Sequence, residues 1–200
     1  MNEYNINQTT LKILGLYRTD YRRPCYVREA ARDIDVDVKA TQLQLRKLEK
    51  MNVLSSADRG RIKEYRLNLE NHTGLYLMVM AETFFTITYL NRNFLVKKLV
   101  SEVGSHIDGT ILLFGSLARA RATGESDVDL MVLVKEKPDA QTLGPLRSII
   151  GRRISLKHMD PPRFLEGLRQ KDPLVMEIAA NHVVLKGADE FCNLMWQHYA

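Results

Sequence analysis

Residues 111–134 read ILLFGSLARARATGESDVDLMVLV, and this stretch decides the fold of the second half of the chain. Two apolar, β-prone runs flank a polar loop; Gly115-Ser116 ends the first run and Asp127-Val128-Asp129 opens the second. Alternate side chains of a strand share a face, so Asp127 and Asp129 are expected to project side by side while Val128 turns into the core. Two carboxylates at that spacing repel. A hard divalent cation with oxygen ligands, chiefly Mg²⁺, relieves the repulsion, above all beside phosphate. The Gly-Ser turn in front offers backbone N–H groups and a hydroxyl, the donors a triphosphate tail takes. The stretch reads as a metal–nucleotide site; the plainer alternative is a β-loop-β unit with acidic turn residues.

Gly115-Ser116, ten intervening residues and then Asp127-x-Asp129, with Ala118-Arg119 and Ser126 in place, resembles the signature of the DNA polymerase β-like nucleotidyltransferases. The text GSLAR…SDVDLMVLV is most similar to their minimal, stand-alone branch. The resemblance implies transfer of a nucleotidyl group from an NTP, with Mg²⁺ (or Mn²⁺) held by Asp127 and Asp129 as the catalytic pair. It also implies that Ser116 and the Gly115 backbone bind the β- and γ-phosphates, with Arg119 and Ser126 as further nucleotide-binding residues. For Arg119, a salt bridge to Glu125 or a plain surface position is equally open.

Transferring members of that family carry a third carboxylate on a later strand. The matching text here is Arg153-Ile154-Ser155-Leu156-Lys157, which has Ser155 at that place. A serine hydroxyl is a poor metal ligand and no general base near neutral pH. Lys157 shares its face and adds positive charge. Asp160 lies past the strand end and substitutes only if the strand bends. Ala120 also replaces the glycine that commonly follows Ala-Arg. Whether this is an enzyme is therefore left open, and nucleotide binding is expected before efficient transfer. His158, Trp196 and His198 read as packed or solvated side chains.

The first third is more basic than the rest: residues 1–75 hold 14 Lys/Arg against 10 Asp/Glu, and residues 76–200 hold 15 against 14. Such an excess is an electrostatic hint of nucleic acid. Residues 7–18 have helical periodicity, with Leu11, Leu14 and Leu16 apolar and Lys12 and Arg18 outside. A short helix from Tyr26, a turn at Asp35-Val36-Asp37 and a second helix over about 38–51 make a helix-turn-helix pattern, with Leu43, Leu45, Leu48 and Met51 as core candidates. SSADRGRIKEYRLN then reads as strand, turn and strand, with Arg59-Gly60-Arg61 at the tip. Over residues 8–69 the order resembles the ArsR/MarR-like winged-helix regulators. That resemblance implies double-stranded DNA as a partner, with Lys39, Thr41, Gln42 and Arg46 facing the major groove and Arg59 and Arg61 reaching the backbone or minor groove. Asp33, Asp35 and Asp37 put negative charge beside that face, and such modules also dock proteins.

Residues 75–103 carry no proline and no glycine and are rich in Leu, Met, Phe and Tyr, which predicts one long helix or two stacked pieces. Glu82, Asn91, Arg92, Lys97 and Lys98 make it too polar to cross a membrane, and no uninterrupted apolar run approaches the roughly 20 residues of a span. Its apolar positions wrap around much of the circumference, which favours a homodimer. Cys25 and Cys192 have no metal spacing and read as reduced thiols of a cytoplasmic protein.

The expected fold class is α+β: a winged helix-turn-helix over 1–74, a connecting and dimerising helix over 75–103, and a nucleotidyltransferase-like domain over 104–200. That last domain is expected to be a small mixed sheet with helices on one side. Three functions remain open: a transferase whose acceptor is chosen through the winged helix, a transcription regulator that senses nucleotide through an inactive domain, and a nucleotidyltransferase-type antitoxin with a helical toxin partner.

Overall fold

The computed structural model describes residues 6–119, 127–136, 138 and 151–200. It separates into two compact units, Met1–Phe84 with Tyr199–Ala200, and Phe85–His198.

In the first unit, α1 (Gln8–Gly15) starts at Asn7, whose Oδ1 accepts the Thr10 N–H at 3.0 Å. Strand β1 (Cys25–Tyr26) leads directly into α2 (Val27–Ile34). Asp35 turns the chain in the left-handed region, φ 52°, where aspartate is tolerated better than most side chains. Asp37 then caps α3 (Val38–Lys50), accepting from the N–H groups of Lys39 and Ala40 at 2.8 and 3.1 Å. Strands β2 (Leu54–Arg59) and β3 (Ile62–Leu67) form the hairpin, with Arg59 paired to Ile62 across a two-residue Gly60-Arg61 loop. β1 adds to β3 in the order β1-β3-β2, so Tyr26 ends a third strand rather than opening the helix expected from it.

The helical period of α3 corrects one expected core residue. Thr41, Gln44, Leu45 and Leu48 recur at i, i+3, i+4 and i+7 and form its buried stripe. Leu43 falls on the opposite face and is 54% exposed, so it is not a core residue. Ile13, Leu14 and Tyr17 complete this core with Tyr65 and Leu67.

Helix α4 (His72–Arg92) is followed at Asn93 by α5 (Phe94–His106), so the long apolar segment is two helices, and the unit boundary falls within α4. By length and composition alone α4 is long and apolar enough to cross a membrane, with a mean hydropathy of 1.2 over an 18-residue window, against the expectation that this segment is too polar to do so. At its middle Glu82 is fully buried and paired with Arg18 at 2.7 Å. Arg18, read from the sequence as an outward residue, is instead drawn in by that carboxylate.

The second unit holds a four-stranded mixed sheet in the order β6-β5-β4-β7. Its strands are β4 (Thr110–Phe114), β5 (Val128–Leu133), β6 (Ile154–Met159) and β7 (Val183–Lys186). β4 is antiparallel to β5 and β7, and β5 is parallel to β6. Between strands lie α6 (Gly115–Ala118), α7 (Pro161–Gln170), α8 (Pro173–Ala180) and the terminal α9 (Ala188–Tyr199). Val96 and Leu99 of α5 cluster with Ile111, Leu113, Val128, Leu130 and Val132 on one face of the sheet. The opposite face, Leu112, Met131 and Leu133, is equally buried, and α8 packs on β4. Cover on both faces corrects the expectation of helices on one side: apart from Thr110 and Asp129, β4 and β5 are apolar on both faces and leave neither fit for water. Most of the helix expected over 138–150 lies outside the described residues.

A carboxylate buried without its cation is costly, whereas replacing the whole pair by apolar groups is far less so. Arg18→Met is expected to destabilise the fold by about 3 kcal/mol, and Arg18→Met/Glu82→Met by clearly less than the sum of the single changes. Denaturant unfolding of the four proteins of that cycle measures the coupling.

Candidate nucleotide site and basic groove

The register of the second sheet builds the first candidate site. Phe114, the last residue of β4, pairs with Asp129, and Asp129 pairs with Ser155 on the other side. Phe114, Asp129, Ser155 and Lys157 therefore occupy one face at one end of the sheet, while His158 falls on the other face. The chain leaves β4 at Gly115 with φ +72°, a conformation that favours glycine. A Cβ there would stand 2.5 Å from Asp129 Oδ2. This absent side chain brings the Gly115-Ser116 backbone against the Asp129 carboxylate. The Tyr89 hydroxyl donates to the Leu117 carbonyl at 3.1 Å and so fixes the turn from below.

Asp129 is half-buried. Burial pushes its carboxyl above the usual range; the Ser155 hydroxyl donating to it and the nearby Lys157 cation pull the other way, and the charges of Asp127 and Glu177 add to the rise. Asp127 precedes β5, whose pairing opens with the Val128 N–H on the Arg153 carbonyl at 2.9 Å, and it is exposed. Val128 is fully buried, as the alternation requires. Two oxygen donors that repel one another, one half-buried and one open to solvent, suit a hard divalent cation. Among the described residues no group of three or more His, Cys, Asp or Glu gathers as a metal cluster. Ser116 is partly exposed beside the pair, and Ser126 and Ala120 lie outside the described residues.

Arg119 pairs with Glu177 of α8, a residue the sequence reading did not single out. Its only signal was a lone carboxylate on an otherwise apolar helix, PLVMEIAA. Asp160 sits after β6, at the Leu133 end of the sheet and five residues beyond Ser155, roughly 16 Å along a strand, and cannot replace it. His158 is exposed and Trp196 buried, both as read from the sequence. Cys25 and Cys192 are buried, and burial pushes the Cys25 thiol up to about 11.

The first unit carries a groove of about 600 Å³ between α2, α3 and the hairpin. It is lined by Tyr26 and Tyr65, by the exposed Val38 and Ile62, and along its rim by Arg28, Gln42, Arg46, Arg61 and Lys63. Of the residues expected to face DNA, Gln42, Arg46 and Arg61 meet here, while Lys39 is exposed on α3 outside the lining. Arg59 leans on Glu64 at 3.7 Å. Thr41 is the correction: it is fully buried on the inner stripe of α3, its hydroxyl donating to the Asp37 carbonyl at 2.9 Å, and has no face to offer a partner. Arg28 was missed, because its role depends on the packing of α2 against the hairpin. The hairpin is held by Glu64, buried and bonded by the Tyr26 hydroxyl and Arg66 Nε, each at 2.7 Å; these partners hold its carboxyl below the usual range.

Residues 101–191 match the family model described as Polymerase beta, Nucleotidyltransferase. No curated protein and no solved structure matches the chain. The Gly115–Asp129 contact lies inside the matched residues.

Gly115→Ala combines an unfavourable φ, about 1–2 kcal/mol, with a clash against the Asp129 carboxylate. Its melting temperature is expected to fall and its binding of Mg·ATP to be lost, as read by thermal scanning and calorimetric titration. Ser116→Ala, with no clash, should keep the melting temperature while weakening the nucleotide.

Proposed function

We propose that the chain is a divalent-metal-dependent nucleotidyltransferase that moves a nucleotidyl group from an NTP to an acceptor, and that its first unit is a winged-helix module for double-stranded DNA. The observation that carries the first part is the closeness of Gly115 to Asp129 within the matched nucleotidyltransferase segment. Domains of this family generally use an NTP and a divalent metal. Here Asp127 and Asp129 would hold Mg²⁺ (or Mn²⁺), which when bound neutralises phosphate charge and aligns the attack on the α-phosphorus. Ser116 and the backbone of the turn orient the β- and γ-phosphates. Arg119, half-exposed at the C-terminal end of α6, is within reach of the same phosphates once it leaves Glu177. Ser155 keeps Asp129 oriented by its hydrogen bond rather than by sharing a metal.

The helix-turn-helix order, the paired hairpin and the cationic rim of the groove support the DNA-binding part. A rim of Arg28, Arg46 and Arg61 attracts phosphate irrespective of sequence, with Gln42 placed to read a base edge. Tyr76, 70% exposed, and Met80, 43% exposed, one turn apart on α4, favour a homodimer as the DNA-binding form. A second reading, a regulator that senses nucleotide without transferring it, is favoured by Ser155 standing where a third carboxylate would pair with Asp129.

Incubation with α-³²P-labelled NTPs, Mg²⁺ or Mn²⁺ and a cell lysate as acceptor pool separates the two readings. Label transfer that disappears in Asp127→Ala/Asp129→Ala is expected. Metal-dependent NTP binding without transfer to any acceptor would leave only the sensor. In fluorescence anisotropy with duplex DNA, Arg46→Ala/Arg61→Ala is expected to weaken binding at least tenfold and to flatten its salt dependence.

A further inference from the structure

We propose that Glu177 is the general base of the transfer reaction, supplied by α8 in place of the carboxylate missing from β6, and that it is released for this work when the triphosphate takes Arg119 from it. The proposal rests on the transferase reading of the second unit.

The face that carries Asp129 has few groups able to take a proton. Ser155 is bound to Asp129 and is no base near neutrality. Lys157 is an exposed cation, its ammonium 6.0 Å from the centre of the Phe114 ring. His158 points to the other face, and Asp160 lies at the other end of the sheet. Asp127 and Asp129 are committed to the cation. Among the described residues this leaves Glu177. Its helix packs on β4, and its carboxylate contacts Arg119, whose own N–H bonds the Gly115 carbonyl at 3.2 Å. Glu177 is thereby fixed one residue contact away from the phosphate turn, and its charge is felt at Asp129.

The pairing with Arg119 gives the order of events. Both side chains are more than a third exposed, so water screens the ion pair and a polyanion competes for the guanidinium. A triphosphate offers Arg119 a bidentate partner of higher charge. Glu177 is then an unpaired carboxylate beside the reacting centre. It accepts the proton of the acceptor hydroxyl as that oxygen bonds to the α-phosphorus. The bond from the α-phosphorus to the bridging oxygen breaks, pyrophosphate leaves with the electron pair, and the proton passes from Glu177 to solvent. No oxidant or further reactant is needed.

The test uses the full chain, α-³²P-ATP with Mg²⁺ and the same acceptor pool, beside calorimetric titration with Mg²⁺ and the non-hydrolysable α,β-methylene analogue of ATP. Glu177→Gln is expected to bind the analogue at least as tightly as wild type, because Arg119 is freed, and to lose about 100-fold or more in transfer rate, the scale of a general base. Glu177→Asp should retain part of the rate, and added formate should restore part of it to Glu177→Ala, a rescue that a merely structural role does not give. Transfer by Glu177→Gln within threefold of wild type, or weaker analogue binding with no formate rescue, overturns the role of Glu177. Absence of transfer by the wild type itself overturns the transferase reading beneath it.

Discussion

The close approach of the Gly115 backbone to the Asp129 carboxylate is the constraint on which the second unit depends. It is set by strand register, since β4 must end opposite Asp129 for the turn to begin there. It is permitted by the missing side chain, because a Cβ would stand 2.5 Å from Oδ2 and the backbone already sits at positive φ. The apolar β4 and β5, buried on both faces, supply the stability that lets a half-buried carboxylate and a left-handed turn persist at one edge. Around that edge the parallel partner β6 contributes Ser155 and Lys157, and α8 contributes Glu177.

This edge is held at an electrostatic cost. Asp129 has its carboxyl raised by burial and by the charges of Asp127 and Glu177, and among the described residues Ser155 and Lys157 offset them in part. A folded state that raises an acid's pKa is favoured below the ordinary carboxylate range and loses that advantage as pH climbs through the raised value. Near neutrality the ionised site therefore works against the fold, the pattern expected where function rather than stability selects the residues. A cation held by both carboxylates, as proposed, would reverse the sign by giving them a common partner.

Much of this was legible in the sequence. The β-loop-β text with Gly-Ser and the spaced Asp pair led directly to β4, the turn at Gly115 and β5, because strand alternation and turn chemistry are local; that the turn continues as the short α6 did not show. The same holds for the turn at Asp35-Val36-Asp37 and for the hairpin at Arg59-Gly60-Arg61. What escaped depends on packing between elements distant in sequence. Thr41 and Leu43 exchanged their expected places because the buried stripe of α3 is fixed by its neighbours, and Arg18 was drawn inward by Glu82, 64 residues away. Glu177 reaches Arg119 across 58 residues, a distance no local pattern spans. Cover on the second face of the sheet came from helices whose apolar residues were visible but whose docking side was not.

The central claim is that the Gly115 turn and the Asp pair form one metal–nucleotide site. Isothermal titration calorimetry of Mg·ATP against wild type and Asp129→Asn, each with Mg²⁺ and with EDTA, tests it most directly. Binding should require Mg²⁺ in the wild type and weaken at least tenfold, about 1.4 kcal/mol, in the variant, without loss of folding. ATP binding of equal strength in both proteins, or undiminished by EDTA, contradicts it.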